Sequence, residues 1–100
     1  MLEGIRVVVQ RGEHQYTVHA QGRMAQRQIT DHEVQHVLLC PEAEVIEEYL
    51  TDKYSPSCLI YGVTASGRTL HVPSNYGGVI VTVYDPDPAE WIDMKRRKQV

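Results

Sequence analysis

Three residues near the start of the chain are spaced for chemistry. His19, Arg23 and Arg27 recur at intervals of four within HAQGRMAQRQI, residues 19–29. At about 100° per residue they fall in one sector of a helix, with Gln26 beside them and Ala20 and Met24 nearer the other side. An imidazole stacked under two permanent cations makes a site for a phosphate or another anion.

A helix with that face needs an apolar body to rest on, and the remaining chain supplies one. Leu2–Gly12 is ambiguous between strand and helix. The stripe Leu2, Ile5, Val8 and Val9, with Gly12 beyond it, favours a helix. Gln15–Val18 reads as a short extended link, and the cationic helix runs from about Val18 to Gln26. Thr30 followed by Glu33 is a capping-box signal for another helix, which reaches Leu39 and is stopped by Pro41. Strands follow. Ala43–Tyr49 carries three glutamates and reads as a charged edge, on which alternation puts Glu44 and Glu48 on one face and Glu47 on the other. Asp52–Pro56 reads as a turn or loop. Ser57–Val63 is a near-continuous apolar run and reads as a central strand. After the turn at residues 65–68, Thr69–Pro73 returns with His71 on the face opposite Leu70 and Val72. Val79–Tyr84 is the strongest strand by propensity, and alternation places Ile80, Thr82 and Tyr84 together. Asp85–Pro88 breaks the sheet, and Ala89–Met94 reads as one helical turn. The basic end, from about residue 95, reads as a loose tail. The expected architecture is one α+β domain over residues 1–100, with N-terminal helices packed on a mainly antiparallel sheet of three to four strands.

Bulk properties narrow the function. The chain has 100 residues, a net charge of −3 and no phenylalanine, so six tyrosines and one tryptophan carry its aromatic bulk. An acidic balance argues against a nonspecific nucleic-acid coat and leaves room for a local cationic pocket. Cys40 and Cys58 have neither zinc-site nor CxxC spacing and read as free thiols of a reducing compartment. Without a membrane-length apolar run or a leader pattern, the expectation is a cytoplasmic protein with no cofactor and no metal. His32 and His36 lie four apart but lack the glutamate placement of a zinc-protease helix, and read as a solvated face.

Several separated phrases carry a resemblance: HAQGRMAQRQIT at 19–30, EVIEEY at 44–49, SPSCLIYG at 55–62, GRTLHV at 67–72 and TVYDPDPAEW at 82–91. Together they resemble the bacterial family called domain of unknown function 4258, over nearly the whole chain. The family's usual glycine before Ile29 is here Gln28, a change at the end of a helix. The resemblance implies a RelE-like toxin fold, and an RNA-cleaving toxin held in check by a small zinc-finger antitoxin protein. RNA cleavage of that kind needs a base for the 2′-hydroxyl, cations for the phosphorane and an acid for the leaving 5′-oxygen. On that reading His19 and His71 are base and acid, Arg23 and Arg27 clamp the phosphate, and Tyr84 stacks or donates a proton. Two other readings compete with it. One is a noncatalytic protein- or RNA-binding module of the same fold. The other is a structural subunit in which Arg23 and Arg27 pair with Glu47 and Glu48.

Overall fold

The computed structural model describes residues 2–51 and 56–98. Three helices, α1 (Leu2–Gln10), α2 (Val18–Arg27) and α3 (Asp31–Leu39), pack on one face of a five-stranded sheet. The strands are β1 (Gln15–Tyr16), β2 (Glu44–Tyr49), β3 (Ser57–Val63), β4 (Thr69–Asn75) and β5 (Val79–Ile80), in spatial order β1-β5-β4-β3-β2. A separate hairpin, β6 (Trp91–Ile92) with β7 (Arg96–Arg97), follows. This is an α+β fold, as the order of elements predicts. The expected turn or loop at residues 52–56 falls, up to residue 55, outside the described residues.

The helices form where the sequence signals them. Ile5 and Val9 bury the inner stripe of α1. The Arg6 guanidinium donates to the carbonyls of Leu38 (2.9 Å) and Cys40 (2.6 Å), satisfying acceptors at the end of α3 that the helix itself leaves open. Thr17 caps α2 by accepting from the Ala20 amide. The capping box at Thr30 and Glu33 is complete. Gln28 ends α2 in the left-handed region, φ 53° and ψ 49°, and Ile29 donates back to Met24 O at 2.9 Å. A glutamine thus takes the backbone shape that glycine normally supplies at this point, and the helix ends in the usual way despite the departure.

The core lies between the helices and one sheet face. Ile5, Val34, Val37 and Leu38 meet Cys58, Ile60, Leu70, Val72, Ile80 and Val83, all fully buried. Gly62 lets α3 close on β3, because a Cβ there would stand 2.5 Å from Val37 Cγ1.

The sheet departs from expectation in four places. It has five strands, because Gln15–Tyr16 pairs parallel with β5 rather than merely linking two helices. Next, Val79–Tyr84 is not a continuous strand. Ser74 pairs with Ile80 and His71 with Tyr84, so Val72 and Pro73 oppose the three residues Val81–Val83. Pro73 has no amide hydrogen to give β5, and the ladder bulges at that point. The extra residue turns Ile80 and Val83 inward together and carries Tyr84 to the other face, beside His71. A second irregularity, between Val45 and Glu47, puts Glu44 opposite Tyr61 and Glu47 opposite Leu59. Glu44 and Glu47 therefore share the outer face, contrary to simple alternation.

The fourth departure is at the end of the chain. Ala89–Met94 forms a turn and β6 instead of a helical turn, and Lys95–Lys98 is docked rather than loose. Lys95 reaches Glu44 at 3.2 Å and stands over the Tyr61 ring, while Arg97 grips Glu47 at 2.8 Å and covers Trp91. The hairpin thereby closes the sheet face that the helices leave open.

Candidate functional site

Because Ala20 and Met24 anchor α2 in the core, its His19–Arg23–Arg27 ridge is turned outward. His19 and Arg27 are exposed and Arg23 is half-buried. Among the described residues, neither the His19 imidazole nor the two guanidinium groups hold a hydrogen-bond or ion-pair partner. The alternative pairing of Arg23 and Arg27 with Glu47 and Glu48 is not formed: Glu47 binds Arg97, and Glu48 accepts from the Tyr76 hydroxyl at 3.1 Å.

The ridge forms one wall of a cleft of about 500 Å³. Thr82 comes from the sheet bulge, Tyr84 and Asp85 from just past it, Asp87 and Glu90 from the segment beyond, Trp91 from β6 and Arg97 from β7. A second groove of about 410 Å³, lined by His19, Gly22, Arg23 and Gln26, opens on the other side of the same ridge.

The cleft walls are held by one clamp. Arg68, at the β3–β4 turn, binds Asp85 in bidentate fashion at 2.6 and 2.9 Å. The same guanidinium donates to the last carbonyls of α2, Arg27 O at 2.7 Å and Gln28 O at 3.2 Å. The hydrogen bonds from Arg68 hold the Asp85 carboxyl below the usual carboxylate range, with Arg27 adding to the effect. Arg68 therefore ties the cationic helix to the opposite wall and neutralises the Asp85 carboxylate there.

His71 does not line the cleft. It is fully buried under the β6–β7 hairpin, its ring 4.5 Å from Trp91 and 5.3 Å from Tyr84, edge to face in both cases. Burial keeps its imidazole below the ordinary histidine range, so the neutral form prevails. Both ring nitrogens are engaged, Nε2 by Met94 O at 2.5 Å and Nδ1 by the Tyr84 hydroxyl at 3.3 Å. Thus His19, Arg23, Arg27 and Tyr84 share the cleft, while His71 stands behind it, against the cleft-lining Tyr84 and Trp91 and hydrogen-bonded to the first.

Arg68, Asp85, Glu90 and Arg97 belong to this site and are not singled out by spacing. Arg68 sits in a turn signal, Asp85 in a strand-breaking Asp-Pro-Asp-Pro run and Arg97 in a basic terminal cluster. Each becomes meaningful only through a partner 17 to 50 positions away. A further cluster was also hidden. The Asp31 carboxylate accepts from the Tyr16 hydroxyl, from Gln35 and from the buried His14 at 2.8 Å, fastening β1 to the start of α3. His32 and His36 line a separate groove of about 370 Å³ along α3. Among the described residues no group of three or more His, Cys, Asp or Glu side chains is assembled to hold a metal.

Burial raises the Cys58 thiol to about 11, and both cysteines are free. Among the described residues no helix is long and apolar enough to cross a membrane. No curated protein and no solved structure matches the chain. A family model described as Domain of unknown function (DUF4258) matches residues 16–85, a span that begins just before the cationic helix and ends on the clamped Asp85. With α2, the bulged sheet and the clamp all inside that span, the chain belongs to the DUF4258 family.

Proposed function

We propose that this protein cleaves RNA, as the toxin half of a bacterial toxin–antitoxin pair acting in the cytoplasm. The observation that carries the reading is the His19 imidazole and the Arg23 and Arg27 guanidinium groups, without a hydrogen-bond or ion-pair partner among the described residues, lining one open cleft with Tyr84. The cations oppose the charge of a bound phosphodiester and of the phosphorane formed from it. His19 is exposed at the mouth and protonates the leaving 5′-oxygen. Tyr84 lies on the opposite wall, where its hydroxyl can take the 2′-hydroxyl proton only as it passes its own proton on. No metal is required for these roles. The order of helices followed by a small sheet supports a RelE-like reading of the fold, and a small zinc-finger antitoxin is the partner expected to cover the cleft.

The test is incubation of purified protein with 5′-labelled single-stranded RNA. Fragments ending in a 2′,3′-cyclic phosphate are expected, with His19→Ala slowing their appearance about 100-fold. Arg23→Ala should weaken binding and lower the slope of log affinity against log salt by about 0.7, since one phosphate is no longer neutralised. Expression of the chain alone should arrest growth, and either substitution should relieve the arrest. Cleavage or toxicity that survives both substitutions overturns the site.

One observation favours a second reading. Asp87 and Glu90 share the cleft with the arginines, and a surface of both signs suits a protein partner as well as RNA. A noncatalytic binding module would hold RNA or protein tightly and yield no fragments.

A further inference from the structure

We propose that His71 is a positioning residue that receives the phenolic proton of Tyr84 while Tyr84 withdraws the 2′-hydroxyl proton of RNA bound in the cleft. This rests on the ribonuclease reading and adds a route for the proton.

The route follows from which atoms can donate. Met94 O only accepts, so the His71 nitrogen 2.5 Å from it, Nε2, carries the hydrogen. In a neutral imidazole Nδ1 is then a lone pair, and the Tyr84 hydroxyl 3.3 Å away must be the donor. With its hydrogen turned inward to His71, Tyr84 presents lone pairs to the cleft. It is poised to accept a proton there. His71 is fully buried, so Tyr84 is its connection to the cleft.

The backbone supports this assignment. Asp93 and Met94 both have positive φ, 53° and 61°, in the left-handed region that costs a non-glycine residue about 1 kcal/mol. The tight turn they make delivers the Met94 carbonyl to His71. The groups facing His71 are Tyr61 on β3, Tyr84, Trp91 on β6, and more distantly Glu47 on β2 and Arg97 on β7, which oppose each other in charge.

The step balances. The 2′-O–H bond breaks and its proton joins Tyr84 Oη as the original phenolic proton passes to His71 Nδ1. The freed electron pair of the 2′-oxygen forms a bond to phosphorus, and the P–O5′ bond breaks with its pair kept by O5′. That oxygen takes a proton from protonated His19. The cycle leaves His71 cationic and His19 neutral, and proton exchange through Tyr84 and solvent restores both.

The experiment has two arms. In ¹⁵N-histidine NMR of the full chain, His71 should show a protonated Nε2 and a bare, hydrogen-bonded Nδ1 near pH 7, and Tyr84→Phe should shift the Nδ1 resonance. A protonated Nδ1, or one indifferent to Tyr84→Phe, overturns the proposal. In the cleavage assay His71→Asn keeps an acceptor for Tyr84 but takes up no proton. It should slow cleavage by about 100-fold, flatten the acidic limb of the rate profile, and change RNA affinity less than about twofold. Wild-type rates in a folded His71→Asn variant refute the relay and leave the ribonuclease reading standing. Absence of cleavage by the wild-type protein refutes the ribonuclease reading and the catalytic use of the relay together. If His71→Asn fails to fold, the NMR arm decides.

Discussion

Replacing Arg68 by methionine keeps the apolar stem of the side chain and removes the clamp that ties the two cleft walls together. Four hydrogen bonds disappear, two to Asp85 and one each to Arg27 O and Gln28 O. The ion pair is partly exposed, 29% for Arg68 and 35% for Asp85, so solvent screening limits it to about 0.5–1 kcal/mol. The two carbonyl contacts lie at the surface and add about 0.5 kcal/mol each, at the low end for hydrogen bonds of this type. A total near 1.5–2 kcal/mol corresponds to a fall in Tm of roughly 6–16 °C for a domain of this size. The dependence on pH separates the pair from the packing. Because Asp85 is held below its usual range in the folded state, its contribution is present in full above the unfolded carboxylate value of about 3.9 and is lost as pH falls through the lower folded value. The stability gap between wild type and Arg68→Met should therefore be constant from neutral pH down to about 5 and narrow below about 4. Urea titrations at pH 7, 5 and about 3.5, followed by circular dichroism, measure it. A gap under about 0.3 kcal/mol at neutral pH, or one that widens in acid, refutes the clamp.

Two substitutions test the local backbone and packing. Gln28→Gly removes a Cβ from a left-handed helix end and should stabilise the fold by about 1 kcal/mol, read as a higher urea midpoint with an unchanged slope; a loss of stability would contradict the capping geometry. Gly62→Ala places a methyl group 2.5 Å from Val37 Cγ1 and 3.3 Å from the Val37 carbonyl, and should cost about 1–3 kcal/mol in thermal denaturation; a neutral result would mean that α3 can back away from β3.

The helices were legible because their signals are local. Capping at Thr30 and Glu33, the apolar stripe at Ile5 and Val9, and the four-residue spacing of His19, Arg23 and Arg27 all act within a turn or two of the chain. The sheet was legible in outline and wrong in register. Strict alternation assigns a face to every residue of Val79–Tyr84 and Glu44–Tyr49, and one bulge in each segment reverses the assignment from that point on. Pro73 was the visible warning for the first, since a proline facing a partner strand withholds a donor. The second has no such mark in the sequence.

By itself, then, the sequence determined the α+β class and the helix bearing His19, Arg23 and Arg27, because local periodicity and capping suffice for these, and its separated motifs carried the resemblance to the DUF4258 family. Only tertiary structure decided what faces that helix. The bulge at Val81–Val83 carries Tyr84 to His71, the β6–β7 hairpin seals His71 from solvent, and Arg68 joins Asp85 to the end of α2. Each of these depends on residues far apart in the chain meeting in one register, and a shift of one position changes the partner.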